Sequence, residues 1–138
     1  MANLNVILSG AQLQVVDTNT STTPVNFGLN NPTLAASVEQ FIDFLPITVG
    51  ALALTLPAAT IWVFALRNLG GINGTPAGNI TVQVQVTGGA LGTAANSEVV
   101  APGGVKIFWQ PTEAANGIIG VTLSASVANT PAAILMAA

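Results

Sequence analysis

The 138-residue chain contains no cysteine, no histidine and no tyrosine. The first absence rules out disulfides and thiolate metal sites. The second removes the commonest general base and the commonest metal ligand, and the third removes the phenolic acid. Charge is nearly absent as well. Two cationic and five acidic residues make up 5% of the chain, against about a quarter in an average soluble protein. Two cations cannot line a phosphate backbone, so a nucleic-acid partner is not expected. A basic segment followed by a long apolar run is also missing after Met1-Ala2-Asn3-Leu4-Asn5, so no secretory signal is expected.

One uncharged stretch is long enough to raise the question of a membrane. Phe44 to Leu66 carries no ionisable residue, but it includes Pro46, Gly50 and Pro57, and Leu52, Leu54 and Leu56 recur at every second position. Proline interrupts helices and a period of two belongs to strands. The stretch therefore reads as two strands with a turn near Pro57-Ala58-Ala59, and no membrane span is expected.

The strand period recurs along the whole chain. Leu4, Val6 and Leu8 alternate, as do residues 12–17, and Val25, Phe27 and Leu29 stand in phase. Residues 37–43 read as a strand in which Ala36, Val38, Gln40, Ile42 and Phe44 share a phase, with a helix from Leu34 as the competing reading. Strands are expected at 48–56 and at 60–68. The second is apolar in both phases, as a central strand would be. Asn79 to Thr87 is the clearest case, because Ile80, Val82, Val84 and Val86 alternate with Thr81, Gln83, Gln85 and Thr87. That pattern puts one face on a core and the other in a polar setting. Pro102-Gly103 predicts a tight turn in which glycine takes a positive φ. Strands at 98–101, 105–109, 121–127 and 132–137 complete the series.

Nine or ten short strands without a convincing helix predict an all-β fold, an antiparallel two-sheet sandwich of jelly-roll-like form, as a single domain over residues 1–138.

The residues that could carry chemistry are few. Glu39 and Asp43 are a close pair of carboxylates, but on a strand they lie about 13 Å apart. Asp17, Asn19 and Thr20 in one loop, with Asn30-Asn31 near it, could offer oxygen ligands, yet turn formation explains them as well. The glycine-rich stretches at 70–74, 88–92 and 103–104 lack the Lys-Ser/Thr ending of a phosphate loop. No catalytic residue, metal site or cofactor is expected, and the chain is read as a non-enzyme.

A surface so poor in charge suits a protein covered by neighbours. The candidate contact residues are apolar and lie near the chain ends: Leu4 and Val6, then Ile134, Leu135 and Met136. Trp109 joins them, because Phe108 and Trp109 fall on opposite faces of one strand. The glycine-rich loops at 70–78 and 88–96 are second candidates.

The order of short motifs in residues 48–138 adds a resemblance. A strand with Trp62 leads into Arg67-Asn68-Leu69-Gly70. A valine-rich strand follows, then Val100-Ala101-Pro102-Gly103-Gly104-Val105, Phe108-Trp109 and a last Leu/Ala/Ser strand. This resembles small β-sandwich virion proteins of tailed bacteriophages, which serve as capsid decoration (cement) proteins or as head and tail accessories. The resemblance implies a jelly-roll-like fold and a place in the virion. It also implies homo-oligomers, trimers foremost, and binding to the major capsid protein or another virion protein. Two other roles compete with capsid cement: a receptor- or glycan-binding part of a head or tail fibre, and a self-assembling pilus-like surface protein.

Overall fold

The computed structural model describes residues 5–7, 14–15, 25–26, 33–35, 38–87, 97–109 and 117–138. The chain divides into two compact units, Met1–Ala36 and Ser37–Ala138. In the first, β1 (Asn5–Ile7) pairs antiparallel with β4 (Thr33–Ala35), and β2 (Gln14–Val15) pairs antiparallel with β3 (Val25–Asn26). The strand β4 stands where the helical alternative would have begun. The Asp17 loop, Asn30-Asn31 and the glycine-rich stretch at 88–96 lie outside the described residues.

The second unit contains β5 (Glu39–Ile47), β6 (Leu52–Ala53), β7 (Val63–Asn68), β8 (Ile80–Val86), β9 (Glu98–Val100), β10 (Val105–Trp109), β11 (Ile118–Ala125) and β12 (Thr130–Ala137). These form two four-stranded sheets, in the orders β10-β7-β12-β5 and β6-β11-β8-β9. Every pairing is antiparallel.

The pairings share one logic. β5 pairs with β12, β6 with β11, β7 with β10 and β8 with β9. These eight strands thus form one long ribbon doubled back between β8 and β9. Rolling that ribbon sends successive pairs to opposite sheets and adds the contacts of β12 with β7 and of β11 with β8. This is the eight-stranded jelly roll, and it bears out the expected two-sheet sandwich.

Side-chain alternation explains why the sheets close on each other. Phe64, Leu66, Ile134 and Met136 from one sheet and Ile80, Val82, Val121 and Leu123 from the other are buried in a single cluster. Each such side chain stabilises the fold by roughly 1.5–3 kcal/mol relative to exposure. Phe108 lies beside this cluster, its ring centroid 6.2 Å from that of Phe64 at 44°, a tilted pairing that aromatic quadrupoles favour. The long uncharged stretch contains β6 and most of β7, not a helix, and no helix among the described residues is long and apolar enough to cross a membrane.

Three sequence expectations need correction. The strand expected over 48–56 is only Leu52–Ala53. The strand expected over 121–127 ends at Ala125, which leaves Val127 exposed in the turn before β12. In β5 the phase changes partway. Ile42 stands opposite Ile134 and Leu45 opposite Ala132, so the register shifts and Asp43 and Phe44 together face Ala133. Phe44 adopts φ 51° there. The bulge turns Phe44 to the opposite side from Ile42, whereas simple alternation had put them together.

Two polar devices brace one end of the sandwich, and both hold Gly78. Asn68 is fully buried at the end of β7. Its Nδ2 donates to the carbonyls of Gly78 (2.8 Å) and Val100 (2.9 Å), and its Oδ1 accepts from the Gly70 N–H (2.9 Å). It thereby ties the β7–β8 loop to the end of β9. The Thr130 hydroxyl, also buried, accepts from the Gly78 N–H and donates to the Val127 carbonyl.

Candidate contact surface

The two sheets present different outer faces. On β8 and β11 the core-facing residues alternate with Thr81, Gln83 and Gln85 and with Thr122 and Ser124, all half-buried. On these two strands that face is mainly polar and carries no charge, while at the β9 edge Val99, opposite Thr81, is 62% exposed. Gln83 donates to the Ser97 hydroxyl at 3.0 Å, so part of its hydrogen-bonding capacity is met within the chain.

The outer face of the β10-β7-β12-β5 sheet is apolar. Strand register places Ile107 opposite Ala65, Ala65 opposite Leu135, and Leu135 opposite Phe41. One row of apolar side chains therefore crosses all four strands. Phe41 is 59% exposed and Ile107 is 42% exposed. The adjacent row runs from Val105 (57% exposed) through Arg67 and Ala133 to the bulge at Asp43 and Phe44. The row on the other side includes Val63 and Ala137, which are buried within the chain. The free part of the face is therefore the two rows centred on Leu135 and Ala133.

Local chemistry explains the shape of this face. β12 and β7 are interior strands whose outward positions are filled mainly by alanine and leucine. Larger side chains stand toward the edges, on β5 and β10. Phe44 holds an exposed aromatic ring in the left-handed region, where a bulky residue is an outlier costing roughly 1–3 kcal/mol. Such strain persists where the surroundings over-determine it, here through the register shift against Ala133.

Among the described residues, the charged ones sit at the margins of the two faces, with two exceptions. Lys106 Nζ lies 3.1 Å from Glu98 and 5.0 Å from the centroid of the Phe108 ring. β9 and β10 are edge strands of opposite sheets, so this pair bridges the two sheets at one side of the sandwich. Arg67 and Asp43 are the exceptions, exposed on the apolar face itself.

The structure distributes the sequence-derived contact candidates unevenly. Ile134 and Met136 are fully buried in the core and meet nothing outside the chain. Leu135, between them, points the other way and centres the apolar row. Val6 pairs with Leu34 in the first unit, and Leu4 lies outside the described residues. Trp109 occupies the last position of β10, opposite Val63. Of the loop candidates, 70–78 is held by Asn68 and Thr130. Phe41, Phe44, Ala65, Val105 and Ile107 went unrecognised in the sequence. The signal for Val105 and Ile107 was their alternation with Lys106 and Phe108, but both phases of that strand are apolar enough to serve as the inner one.

Among comparisons with known proteins, no family model matches the chain and no curated protein matches it. One solved structure, described as Bacillus endospore appendages that form a novel family of disulfide-linked pili, is similar over 98% of this chain and 95% of that chain, at 20% identity and a TM-score of 0.44. A likeness that loose fixes neither ancestry nor role.

Proposed function

We propose that this chain is a structural subunit that works by contact, seating the outer face of its β10-β7-β12-β5 sheet on protein neighbours in a multi-copy assembly. The observation that carries the proposal is the pair of mainly apolar rows centred on Leu135 and Ala133, where Phe41, Phe44, Val105 and Ile107 are exposed together on one sheet face. Covering what is still exposed of Phe41 and Ile107 would contribute roughly 1 kcal/mol each, and of the half-buried Leu135 less, before the costs of ordering two partners. Arg67 and Asp43 are the charges on this face, and they are opposite in sign, so a partner that pairs both offsets their desolvation. The shortage of ionisable side chains supports a role in contact rather than catalysis.

The narrower proposal is capsid cement in a phage virion, with the major capsid protein or another virion protein as neighbour. Its support is the ordered motif resemblance over residues 48–138. The jelly roll is compatible with it, but lectins and cupins share that fold, so the fold alone does not carry the role.

The test replaces Phe41 and Ile107 by aspartate, singly and together, and follows the chain into its native particle. Unchanged thermal midpoints would show that the variants fold. Loss of the chain from purified particles is expected, and full retention of the double variant would defeat the contact proposal. For the cement role, particles lacking the chain should disassemble faster on heating. An unchanged rate would remove cement and leave the broader proposal standing. Filaments grown from the pure chain would favour the pilus-like role instead.

A further inference from the structure

We infer that the apolar sheet face is self-complementary and binds a second copy of this chain about a two-fold axis running along β12. The inference rests on the contact role proposed above and names the partner at that face.

The pattern around β12 carries it. Arg67 on β7 stands opposite Ala133, and Asp43 at the β5 bulge stands on the other side of the same Ala133. Their backbones are two strand spacings apart, about 10 Å, and they do not ion-pair with each other. One row along, Ala65 and Phe41 flank Leu135 in the same way. The face thus holds a cation and a small residue on one side of β12, and an anion and a large residue on the other.

A half-turn about an axis parallel to β12, in the plane between two such faces, lays β7 of one copy over β5 of the other. Arg67 then meets the second copy's Asp43, and Asp43 meets the second copy's Arg67. Phe41, exposed at 59%, drops onto the space left by the second copy's Ala65, and the reverse contact forms as well. Leu135 and Ala133 lie on the axis and meet their own counterparts. One operation satisfies both charge and size, as a two-fold interface requires. Packed sheets cross at about 30° because of their twist. Residues one strand from the axis are displaced least, and the long Arg67 side chain takes up the remainder. A face of this kind makes pairs, whereas the motif resemblance implies trimers.

The test uses two charge reversals in the full chain, Arg67→Asp and Asp43→Arg, followed by sedimentation. The wild type should form a concentration-dependent dimer. Each variant alone places like charges together twice, and its self-association should weaken on the order of a hundredfold. The decisive arm is the equimolar mixture. There the two introduced side chains, one on each copy, face each other with opposite charge. The unaltered Asp43 of the first variant likewise faces the unaltered Arg67 of the second. Heterodimers should therefore form with affinity near the wild type's. A wild type that stays monomeric at every concentration would overturn the inference, and so would a mixture no better than its components. If the chain proves monomeric while Phe41→Asp still removes it from its native particle, the face binds a different protein. The self-pairing then fails and the contact role survives.

Discussion

Replacing Asn68 by alanine gives the sharpest test of what holds the jelly roll together. The Asn68 side chain is fully buried and makes three hydrogen bonds of 2.8, 2.9 and 2.9 Å, to Gly78, Val100 and Gly70. All three partners are backbone groups of buried residues. Alanine leaves two carbonyls and one N–H without that partner, and each buried unmet group costs about 1–3 kcal/mol. Allowing for partial relaxation, the loss should be about 3–5 kcal/mol, a large share of the ~5–15 kcal/mol that holds a typical domain. With a urea dependence of about 2 kcal/mol per molar, the unfolding midpoint should fall by about 2 M. Asn68→Asp supplies a control with a sign. It keeps the acceptor for Gly70 but aims a carboxylate at two carbonyl oxygens in a dry site, which raises its folded-state pKa above the unfolded value. The folded state then binds the proton more tightly, so this variant should gain stability as pH falls from neutral to about 4. Equilibrium urea unfolding by tryptophan fluorescence reads both. A midpoint shift below about 0.5 M for Asn68→Ala would refute the bracing role.

Gly78→Ala should destabilise by about 2–4 kcal/mol in the same assay, because an added Cβ would meet the Thr130 hydroxyl at 2.5 Å and the Val127 nitrogen at 2.7 Å. Lys106→Met should change stability by no more than about 1 kcal/mol despite breaking the bridge to Glu98, since Glu98 is about half exposed and methionine keeps the packing of the partly buried lysine stem. Phe44→Asn should match or exceed the wild-type thermal midpoint, because asparagine tolerates the left-handed backbone that phenylalanine strains to adopt. The same variant should weaken assembly, since it removes an exposed ring from the contact face.

What could be read from the sequence follows from where pattern and environment agree. β8 was legible because its two phases differ in polarity along its whole length, and its apolar phase enters the core at Ile80 and Val82. The Pro102-Gly103 turn was legible because only glycine takes its φ of 80° easily, and Gly104 N–H closes the turn on the Ala101 carbonyl at 2.8 Å. β7 read correctly as a central strand because it is apolar in both phases, but that same property hid which phase faces the core. The error at the chain end has a simple cause: Ile134, Leu135 and Met136 cannot share a surface on a strand whose side chains alternate. Phe44 was misplaced because a bulge shifts the phase and leaves no mark in a hydropathy pattern. Asn68 gave no signal at all. Its partners lie 2, 10 and 32 residues away in sequence, and only the rolled ribbon brings them together.

Side-chain labelling by hydroxyl radicals, read by mass spectrometry on the free chain and on the chain in its native assembly, bears most directly on the claim that this protein acts through one sheet face. Phe41, Phe44, Leu135 and Ile107 should be shielded in the assembly, while Val127, outside that face, should label equally in both states. Equal labelling of all five residues in the two samples would contradict the account.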